Sequence, residues 1–568
     1  MAFGTVARVD TSQERWHTRV PFGHRGKMSN FEDLRVQLRA RFPRLNEARL
    51  AGERELRVPA VAPDQFLYGR KGPWPQPSPS HPMGEAPEVL TIPSLEETLF
   101  NATIGTRYLT TQLGYPPYAS RLATSKLGYT TPTDDEFNAM MFQTGYTRFL
   151  KDLTTLDCVQ FEVGPTTDLK KYDFSAMDVV LPLEGTYCAG TKLLVADNEG
   201  WNGRVCLAIR VGDVLVHPND SAWGLAKIYA LQGAAYHMLF VVHPALHFPM
   251  DSLNAVMKTS VPYTHPLFQI MLPHTSYSLA LNNAVLESAN SVVNENPQGT
   301  WFDPLTGSAY NLKLLFSAGY TGSSEAKYSN AYPRYDFMNI PMGFDSAYGQ
   351  WLAAYYDRAF LPFATTVAEH ILKPPAADES TEHSDFLRGY TQLWARYCHT
   401  FIYGFPHEDD VLEVETLART IALFMWDTSL AHGADHASFG NQIPVEAKFL
   451  RIRRKPPESK DDPPVEAGQI FTADDLARAE LANVMFFAPA TMEPNLNTTM
   501  YAFLDPELQV AQDKFQADLL AVSEDTSLTQ YMPLTAIQAK AMAEKLGIVP
   551  PITDAQATAM TIPQSIQY

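Results

Sequence analysis

The 568-residue chain is poor in cysteine and in basic residues, and both shortages limit what it can be. Only four cysteines occur, without a Cys-x-x-Cys pair, so reduced thiols are favoured over a disulfide scaffold or a thiolate zinc module. The 44 Lys and Arg residues are outnumbered by 63 Asp and Glu residues, which gives a net charge of −19. This balance disfavours nucleic-acid binding and docking on an anionic membrane, because both need a basic surface.

Long uninterrupted apolar runs are also missing. The N-terminal residues carry charges where a secretory signal would need an apolar segment, so we expect a cytoplasmic protein. The longest mostly apolar stretch, Ile228 to Leu246, contains Gln232, His237 and His243, whose polar groups would be costly in lipid. We therefore expect a buried helix and no stable membrane insertion.

Several common catalytic motifs do not occur. The sequence has no G-x-x-x-x-G-K-[ST], no G-x-G-x-x-G, no His-Glu-x-x-His and no G-x-S-x-G. These absences remove the simplest indications of a nucleotide-binding protein, a zincin or an α/β-hydrolase. The composition, 45% apolar and 19% charged, is instead typical of a folded protein with a large core.

The composition changes along the chain. Residues 31–42 predict a short amphipathic helix, and the proline-rich stretch 59–93 predicts an extended arm, because proline lacks an amide donor and has a fixed φ. Residues 156–216 contain the apolar runs CVQFEV, KLLVAD and RVCLAIRVGDVLVHP, which predict a small antiparallel β region. Helical spacing dominates afterwards and predicts helices at 277–293, 346–373, 384–403, 409–436, 473–485 and 505–521.

Histidine is concentrated in one part of the chain. Five of the 15 histidines lie between residues 237 and 274. Two imidazoles can hold a metal if they share a helix face, which a spacing of four provides in an α-helix and a spacing of five in a π-bulge. His243 and His247 have the first spacing, whereas His237 and His243 are six apart and need a local distortion, for which Pro244 is a candidate cause. Core histidines with hydrogen-bond partners are the alternative explanation.

A second pair, His432 and His436, follows the apolar segment Ile421 to Trp426. The spacing of four places both imidazoles on one face of a helix. Two such pairs on buried helices would allow a metal centre with four nitrogen ligands. Helix-capping or surface histidines are the alternative for this pair.

Together these segments resemble the lipoxygenases. The specific matches are Trp223-Gly-Leu-Ala-Lys227, the bracket His265-Pro to Pro-His274 in the family's spacing, and Asn282 at the family's Asn position. His247-Phe-Pro-Met-Asp251 resembles the family's His-x-x-x-Glu step, with Asp for Glu. His432 and His436 match its downstream pair, and Ile562-Pro-Gln-Ser-Ile-Gln-Tyr568 resembles its Ile-Pro-Asn-Ser-Ile-x-Ile ending.

The resemblance implies a mainly α fold, with a lipoxygenase-like helical catalytic domain at 95–568 that includes the small antiparallel β region. The segment 1–94 would precede it, and the family's N-terminal β-barrel domain would be missing. The implied metal is one non-haem iron, with manganese as the alternative. Its implied ligands are His237, His243, His432, His436 and the terminal carboxylate of Tyr568.

The activity implied by the resemblance is that of a dioxygenase. A metal hydroxide would take a hydrogen atom from a polyunsaturated fatty acid, and O2 would add to give a hydroperoxide. The implied partners are therefore a small-molecule lipid or other unsaturated substrate and O2; the oligomeric state is not predicted.

The sequence departs from the family's pattern at three places. The family's first pair is His-x4-His, but Val242 stands five residues after His237 and His243 follows it. Either a shifted bulge lets both histidines coordinate, which we favour, or one ligand is lost. Tyr568 replaces the terminal Ile, and Ser276 replaces an Arg.

These departures leave two alternative functions. One is a lipoxygenase-fold metalloenzyme that acts on a lipid hydroperoxide or another unsaturated metabolite, and the other is a metal-free binding homologue.

Overall fold

The computed structural model describes residues 100–528 and 562–566, with gaps inside the first range. The gaps are 103–105, 107–110, 112, 130, 166–167, 198–202, 263, 276–277, 280, 282–335, 342–344, 376, 378–379, 438, 440–442, 449–450, 487–494 and 502. Several predictions lie outside the described residues: the helix at 31–42, the proline-rich arm, most of the helix at 277–293, and the positions Ser276, Asn282 and Tyr568. The division between segments 1–94 and 95–568 lies outside them as well.

Helices make up most of the described chain, as the sequence predicts. In chain order they are α1 Pro116–Ser125, α2 Asp134–Gln143, α3 Thr155–Gln160, α4 Trp223–His237, α5 His243–Ser260, α6 Pro266–His274, α7 Ala347–Tyr355, α8 Leu361–Leu372, α9 Glu382–Phe401, α10 Val414–Trp426, α11 His432–Ala437, α12 Val445–Lys448, α13 Ala473–Phe486 and α14 Pro506–Ser523. The helices predicted at 346–373, 384–403, 409–436, 473–485 and 505–521 are confirmed, with ends shifted by a few residues and short non-α turns inside two of them.

Three pairs of these helices are joined end to end by a five-residue π-helical turn. The turns are Met238–Val242 between α4 and α5, Tyr356–Phe360 between α7 and α8, and Asp427–Ala431 between α10 and α11. A π-turn adds a residue to the helical repeat and so rotates the face that the following α-helix presents.

A five-stranded antiparallel sheet forms the predicted β region. Its strands pair in chain order: β1 Lys151–Asp152, β2 Leu169–Asp173, β3 Thr191–Ala196, β4 Val205–Val211 and β5 Val214–Val216. Leu193 of β3 pairs with Tyr172 of β2 and Ile209 of β4, and all three side chains are buried. A two-residue turn joins β4 to β5, and its Gly212 has a φ of +55°, as tight hairpin turns require.

One part of the β prediction is wrong. The run CVQFEV at 158–163 begins inside α3 rather than in a strand. Thr154 and Asp157 form a capping box, in which the Thr154 hydroxyl accepts from the Asp157 amide and the Asp157 carboxylate accepts from the Thr154 amide. This local cap favours a helix start over the β-branched composition that follows.

The buried side chains form two large apolar clusters. One cluster lies between the sheet and α4, and the other lies among α5, α6, α8, α10 and α14. Helix α4 is buried along nearly its whole length, and a Cβ on its Gly233 would lie 2.6 Å from the Cβ of Phe174. The side chain of Val242, on the turn between α4 and α5, packs against both clusters. This turn therefore lies where the two parts of the core meet.

The continuous helical run Trp223–His247 is the candidate membrane span among the described residues. Its 25 residues are long and apolar enough by composition, but 89% of the tested window is buried inside the structure. Such burial is typical of a core helix and agrees with the buried helix that the sequence predicts.

Candidate metal centre

Four imidazoles meet where α5 packs against α11. His243 and His247 are four residues apart on α5, and His432 and His436 are four residues apart on α11. One nitrogen from each ring lies within 4.8 Å of one nitrogen from every other ring. The centroids of His243 and His247 are 4.4 Å apart, and those of His432 and His436 are also 4.4 Å apart. Nε2 of His247 lies 2.7 Å from Nε2 of His432, which joins the two pairs.

Both histidine pairs hold the same position relative to a π-helical turn. His243 is the first α-helical residue after Met238–Val242, and His432 is the first after Asp427–Ala431. The π-turn sets the face of the new helix, and the spacing of four keeps the second histidine on it. The two helices therefore present their histidine pairs in the same way.

Burial favours the neutral form of His243 and His432 in the cluster. His247, His432 and His436 are buried, with His432 fully so. Burial lowers the pKa of His243 to about 4, and burial together with the neighbouring imidazoles lowers the pKa of His432 well below its ordinary value. A neutral imidazole has a lone pair to donate, so the donor set fits a borderline transition metal such as iron.

His237 lies outside this cluster. Its ring packs against Phe149 and Phe174, with centroids 5.8 and 4.9 Å away, and its Nδ1 donates to the Gly233 carbonyl at 2.8 Å. Burial lowers its pKa to about 4. The bulge that the sequence suggested between His237 and His243 is present, but the structure does not bring the two side chains together.

His247 takes part in the cluster instead. The sequence analysis did not include it among the ligands, because the resemblance assigns it to a separate His-x-x-x-Glu step. The sequence does contain a signal for His247: His243 and His247 have the helical spacing of four, whereas six residues do not return to the same face of a helix.

The C-terminal segment Ile562–Ile566 lies against α6 and the segment around Tyr501. His274, at the end of α6, donates from Nδ1 to the Gln564 carbonyl at 2.5 Å, and its Nε2 accepts from the Tyr501 hydroxyl at 3.0 Å. The Thr499 hydroxyl donates to the Gln564 side chain at 2.8 Å, and the Leu496 amide donates to the Ile562 carbonyl at 2.8 Å. These contacts hold residues 562–566 against α6 and the segment around Tyr501.

The other histidine of the sequence bracket has a different role. His265 caps α6, since its Nδ1 accepts from the Leu267 amide at 3.1 Å, and its Nε2 donates to the Leu387 carbonyl at 2.9 Å. The predicted bracket therefore corresponds to one short helix, capped by one histidine and joined to the C-terminal segment by the other.

A buried ionic network adjoins α11. Asp435, between His432 and His436, forms a two-pronged pair with Arg148 at 2.7 and 2.5 Å and accepts from the Tyr348 hydroxyl. Burial raises the pKa of Asp435, although Arg148 and Tyr348 oppose this effect. Asp427, also buried, has a pKa well above its usual range because of burial and the nearby Asp435. The sequence analysis did not identify this network, because no local pattern connects these residues.

A cavity of about 10 Å³ touches the cluster. Its lining is mainly apolar and includes residues of α5, α11 and the π-turn between α4 and α5: Met238, Leu239, Val242, His243, Leu246, Asp435, His436 and Phe439. This volume is far below the roughly 300–1,000 Å³ of drug-sized ligand sites. The described residues therefore contribute an apolar wall at the centre rather than an open channel.

The fold and the histidine cluster define a mainly helical protein with four converging imidazoles. No protein-family model matches the chain. Among curated proteins, the mouse polyunsaturated fatty acid lipoxygenase ALOX12 is 24% identical over 335 residues. This match covers 53% of the chain and 45% of ALOX12, so it spans about half the length of that relative.

Solved lipoxygenase structures share the fold over most of the chain. The manganese lipoxygenase of Gaeumannomyces graminis has a TM-score of 0.60 at 14% identity, with 89% of this chain and 96% of that chain covered. A coral 8R-lipoxygenase has a TM-score of 0.58 at 13% identity, with 84% and 76% covered. A calcium-dependent 11R-lipoxygenase has a TM-score of 0.57 at 14% identity, with 85% and 75% covered. The chain has the lipoxygenase fold, and these similarities support a relationship to the lipoxygenase family.

Proposed function

We propose that the protein is a non-haem metal dioxygenase of the lipoxygenase type, which inserts O2 into a polyunsaturated fatty acid to give a hydroperoxide. The observation that carries this proposal is the cluster of four imidazoles, three of them buried, whose donor atoms lie within 4.8 Å of one another. The lipoxygenase fold of the same chain supports it.

The proposed ligands are His243, His247, His432 and His436, together with the terminal carboxylate of Tyr568. Nitrogen and oxygen donors of this kind suit iron, and manganese is the alternative that the name of the Gaeumannomyces enzyme suggests. His237 is left out of this ligand set because its ring packs against Phe149 and Phe174.

The chemistry of the metal would be the one-electron oxidation that starts hydrogen removal from a bis-allylic carbon. The chain supplies the surroundings for it. Its neutral imidazoles leave their lone pairs available, and the apolar side chains of Leu239, Val242 and Leu246 line the small cavity at the centre. The contacts of His274, Thr499 and Leu496 hold the segment Ile562–Ile566, which immediately precedes the proposed carboxylate ligand.

Polyunsaturated fatty acids are the proposed substrate class, because the curated relative is named for them. We also propose that residues 95–568 form one domain. The histidines of α5 and α11 and the C-terminal segment come from distant parts of the chain, and a single metal ion would need all of them together.

The proposal is tested by metal analysis of the purified protein, combined with oxygen uptake on linoleate and arachidonate. We expect about one iron or manganese per chain, oxygen consumption, and formation of a conjugated hydroperoxide. A full complement of metal without turnover of either fatty acid would contradict the substrate class. Consumption of added hydroperoxides under the same conditions would then favour the alternative activity. Protein with no metal after growth in iron- and manganese-supplemented medium would overturn the metal centre.

A further inference from the structure

Asp435 is fixed in place beside the histidine cluster by groups from two other parts of the chain. Arg148, on the 3-10 helix Gly145–Phe149, binds both of its carboxylate oxygens, at 2.7 and 2.5 Å. Tyr348, near the start of α7, donates its hydroxyl hydrogen to the same carboxylate. The Asp435 side chain is 4% exposed and the Arg148 side chain 11% exposed, so solvent screens this pair only weakly.

Asp435 also lies next to the cluster, between His432 and His436 on α11. It lines the small apolar cavity together with His243 and His436. Its oxygens are not among the donor atoms that converge within 4.8 Å, so its position is that of a neighbour of the centre and not of a ligand. Groups in this position orient the ligands and tune the affinity of a metal site.

The imidazoles of the cluster bring no charge to compensate a metal cation. A divalent ion held mainly by neutral imidazoles in a buried site gains stability from any further carboxylate nearby and loses stability through any guanidinium nearby. Among the described residues at α11, Asp435 is a carboxylate held in place by an ion pair with Arg148. The positive charge of Arg148 partly offsets the negative charge of Asp435.

We propose that Asp435 and Arg148 form a charge-setting pair that determines how tightly the histidine centre holds its metal, with Tyr348 orienting the carboxylate. This proposal rests on the proposed metal centre. Asp435 strengthens metal binding through its negative charge, and Arg148 limits that strengthening. Neither residue ligates the metal, so both act through the electrostatic field and the position of α11.

The test measures Mn²⁺ affinity by chelator competition for the wild type and three variants. Asp435→Asn removes the negative charge, and we expect it to weaken binding by about 10- to 100-fold. Arg148→Met removes the positive charge, and we expect it to strengthen binding severalfold. Tyr348→Phe changes no charge, so we expect a change of less than about threefold.

Opposite changes in Mn²⁺ affinity in Asp435→Asn and Arg148→Met would distinguish an electrostatic role of the pair from a structural one. If the network only supported the fold, Asp435→Asn and Arg148→Met would both loosen α11 and both weaken binding. That result would overturn the proposal. The double variant, which removes both charges at once, is expected to bind with an affinity between those of the two single variants.

A second buried ion pair provides the matched control. Lys171 and Asp157, with side chains 4% and 1% exposed, form a similar pair beside the sheet. We expect Lys171→Met to lower the thermal stability while leaving Mn²⁺ affinity unchanged. If Arg148→Met fails to fold, Arg148→Lys retains the charge and is expected to bind Mn²⁺ within about threefold of the wild type, while Asp435→Asn still weakens binding.

The two proposals fail in different ways. A wild-type protein that binds no Mn²⁺ or iron would contradict the metal centre itself. A wild type that binds metal, with affinity unaffected by Asp435→Asn, would contradict only the charge-setting pair.

Discussion

One residue type has three different roles within a short part of this chain. His243 and His247 present ring nitrogens to the cluster, His237 packs its ring against phenylalanines in the core, and His265 caps a helix. Burial keeps His237, His243 and His265 neutral, with pKa values of about 4, so charge does not distinguish them. The difference comes from the neighbours of each ring.

Substitution of His247 and of His237 is expected to change different properties, namely metal content for His247 and stability for His237. We expect His247→Gln to reduce the bound metal by at least about tenfold, because a ligand is lost. We expect His237→Gln to keep the metal and to lower the free energy of unfolding by about 1–3 kcal/mol, because a buried hydrogen bond and ring packing are lost. Metal content and urea unfolding check both outcomes. Loss of metal in His237→Gln with retention in His247→Gln would reverse the assignment made from the structure.

The helices and π-turns that carry the histidines determine the positions of these side chains more than the neighbouring sequence does. The π-turns Met238–Val242 and Asp427–Ala431 precede the two histidine pairs, and the C-terminal segment is fixed by contacts to α6 and to the residues around Tyr501. Such π-turns are rare and are often found at functional sites. The two ends of α6 offer a direct comparison, since each carries one histidine with a different partner.

We therefore predict that His274→Phe releases the C-terminal segment while His265→Phe does not. His274 donates to the Gln564 carbonyl, and the phenyl ring cannot replace this bond. Hydrogen exchange at residues 562–566 is expected to increase in His274→Phe, with weaker metal binding. His265→Phe removes the cap of α6, so it is expected to lower stability by about 1 kcal/mol and to leave exchange at 562–566 unchanged. Equal exchange in both variants would show that His274 does not hold the segment.

The whole molecule combines an acidic sequence with a large apolar core that contains uncharged histidines. The net charge is −19, whereas the two apolar clusters enclose the region around the histidine cluster. This arrangement couples the stability of the fold to pH, because a buried imidazole resists the proton that it would accept in the unfolded chain.

The pH prediction uses three histidines that lie outside the cluster. Burial lowers the pKa of His237, His265 and His274 to about 4, from an ordinary value of 6.5. Above pH 6.5 these rings are neutral in both the folded and the unfolded chain, and their contribution to stability is complete. As the pH falls from 6.5 to 4, the unfolded chain takes up protons first, so the free energy of unfolding decreases.

Urea unfolding of the metal-free protein between pH 7 and pH 4.5 checks this prediction. His237→Gln removes one of the three groups, and we expect it to reduce the pH dependence in this range. A free energy of unfolding that stays constant or rises from pH 6.5 to 4.5 would contradict the buried neutral state of these histidines.

Local patterns predicted much of the fold. The hairpin around Gly212 and the helices from Trp223 onward follow from turn residues and from periodicity, which act within a few residues. The run after Cys158 was misassigned because the capping box of Thr154 and Asp157 outweighs its β-branched composition. The spacing of Thr154 and Asp157 that forms this cap is visible in the sequence.

The sequence by itself determined the mainly helical architecture, the small sheet, and the two histidine pairs with a spacing of four, because helical periodicity depends only on near neighbours. Only the tertiary structure decided that the pair His243 and His247 meets the pair His432 and His436 while His237 packs elsewhere, and that Asp435 meets Arg148. Those outcomes depend on the π-turns and on how α5 packs against α11. Such packing joins residues almost two hundred positions apart, and no local pattern records it.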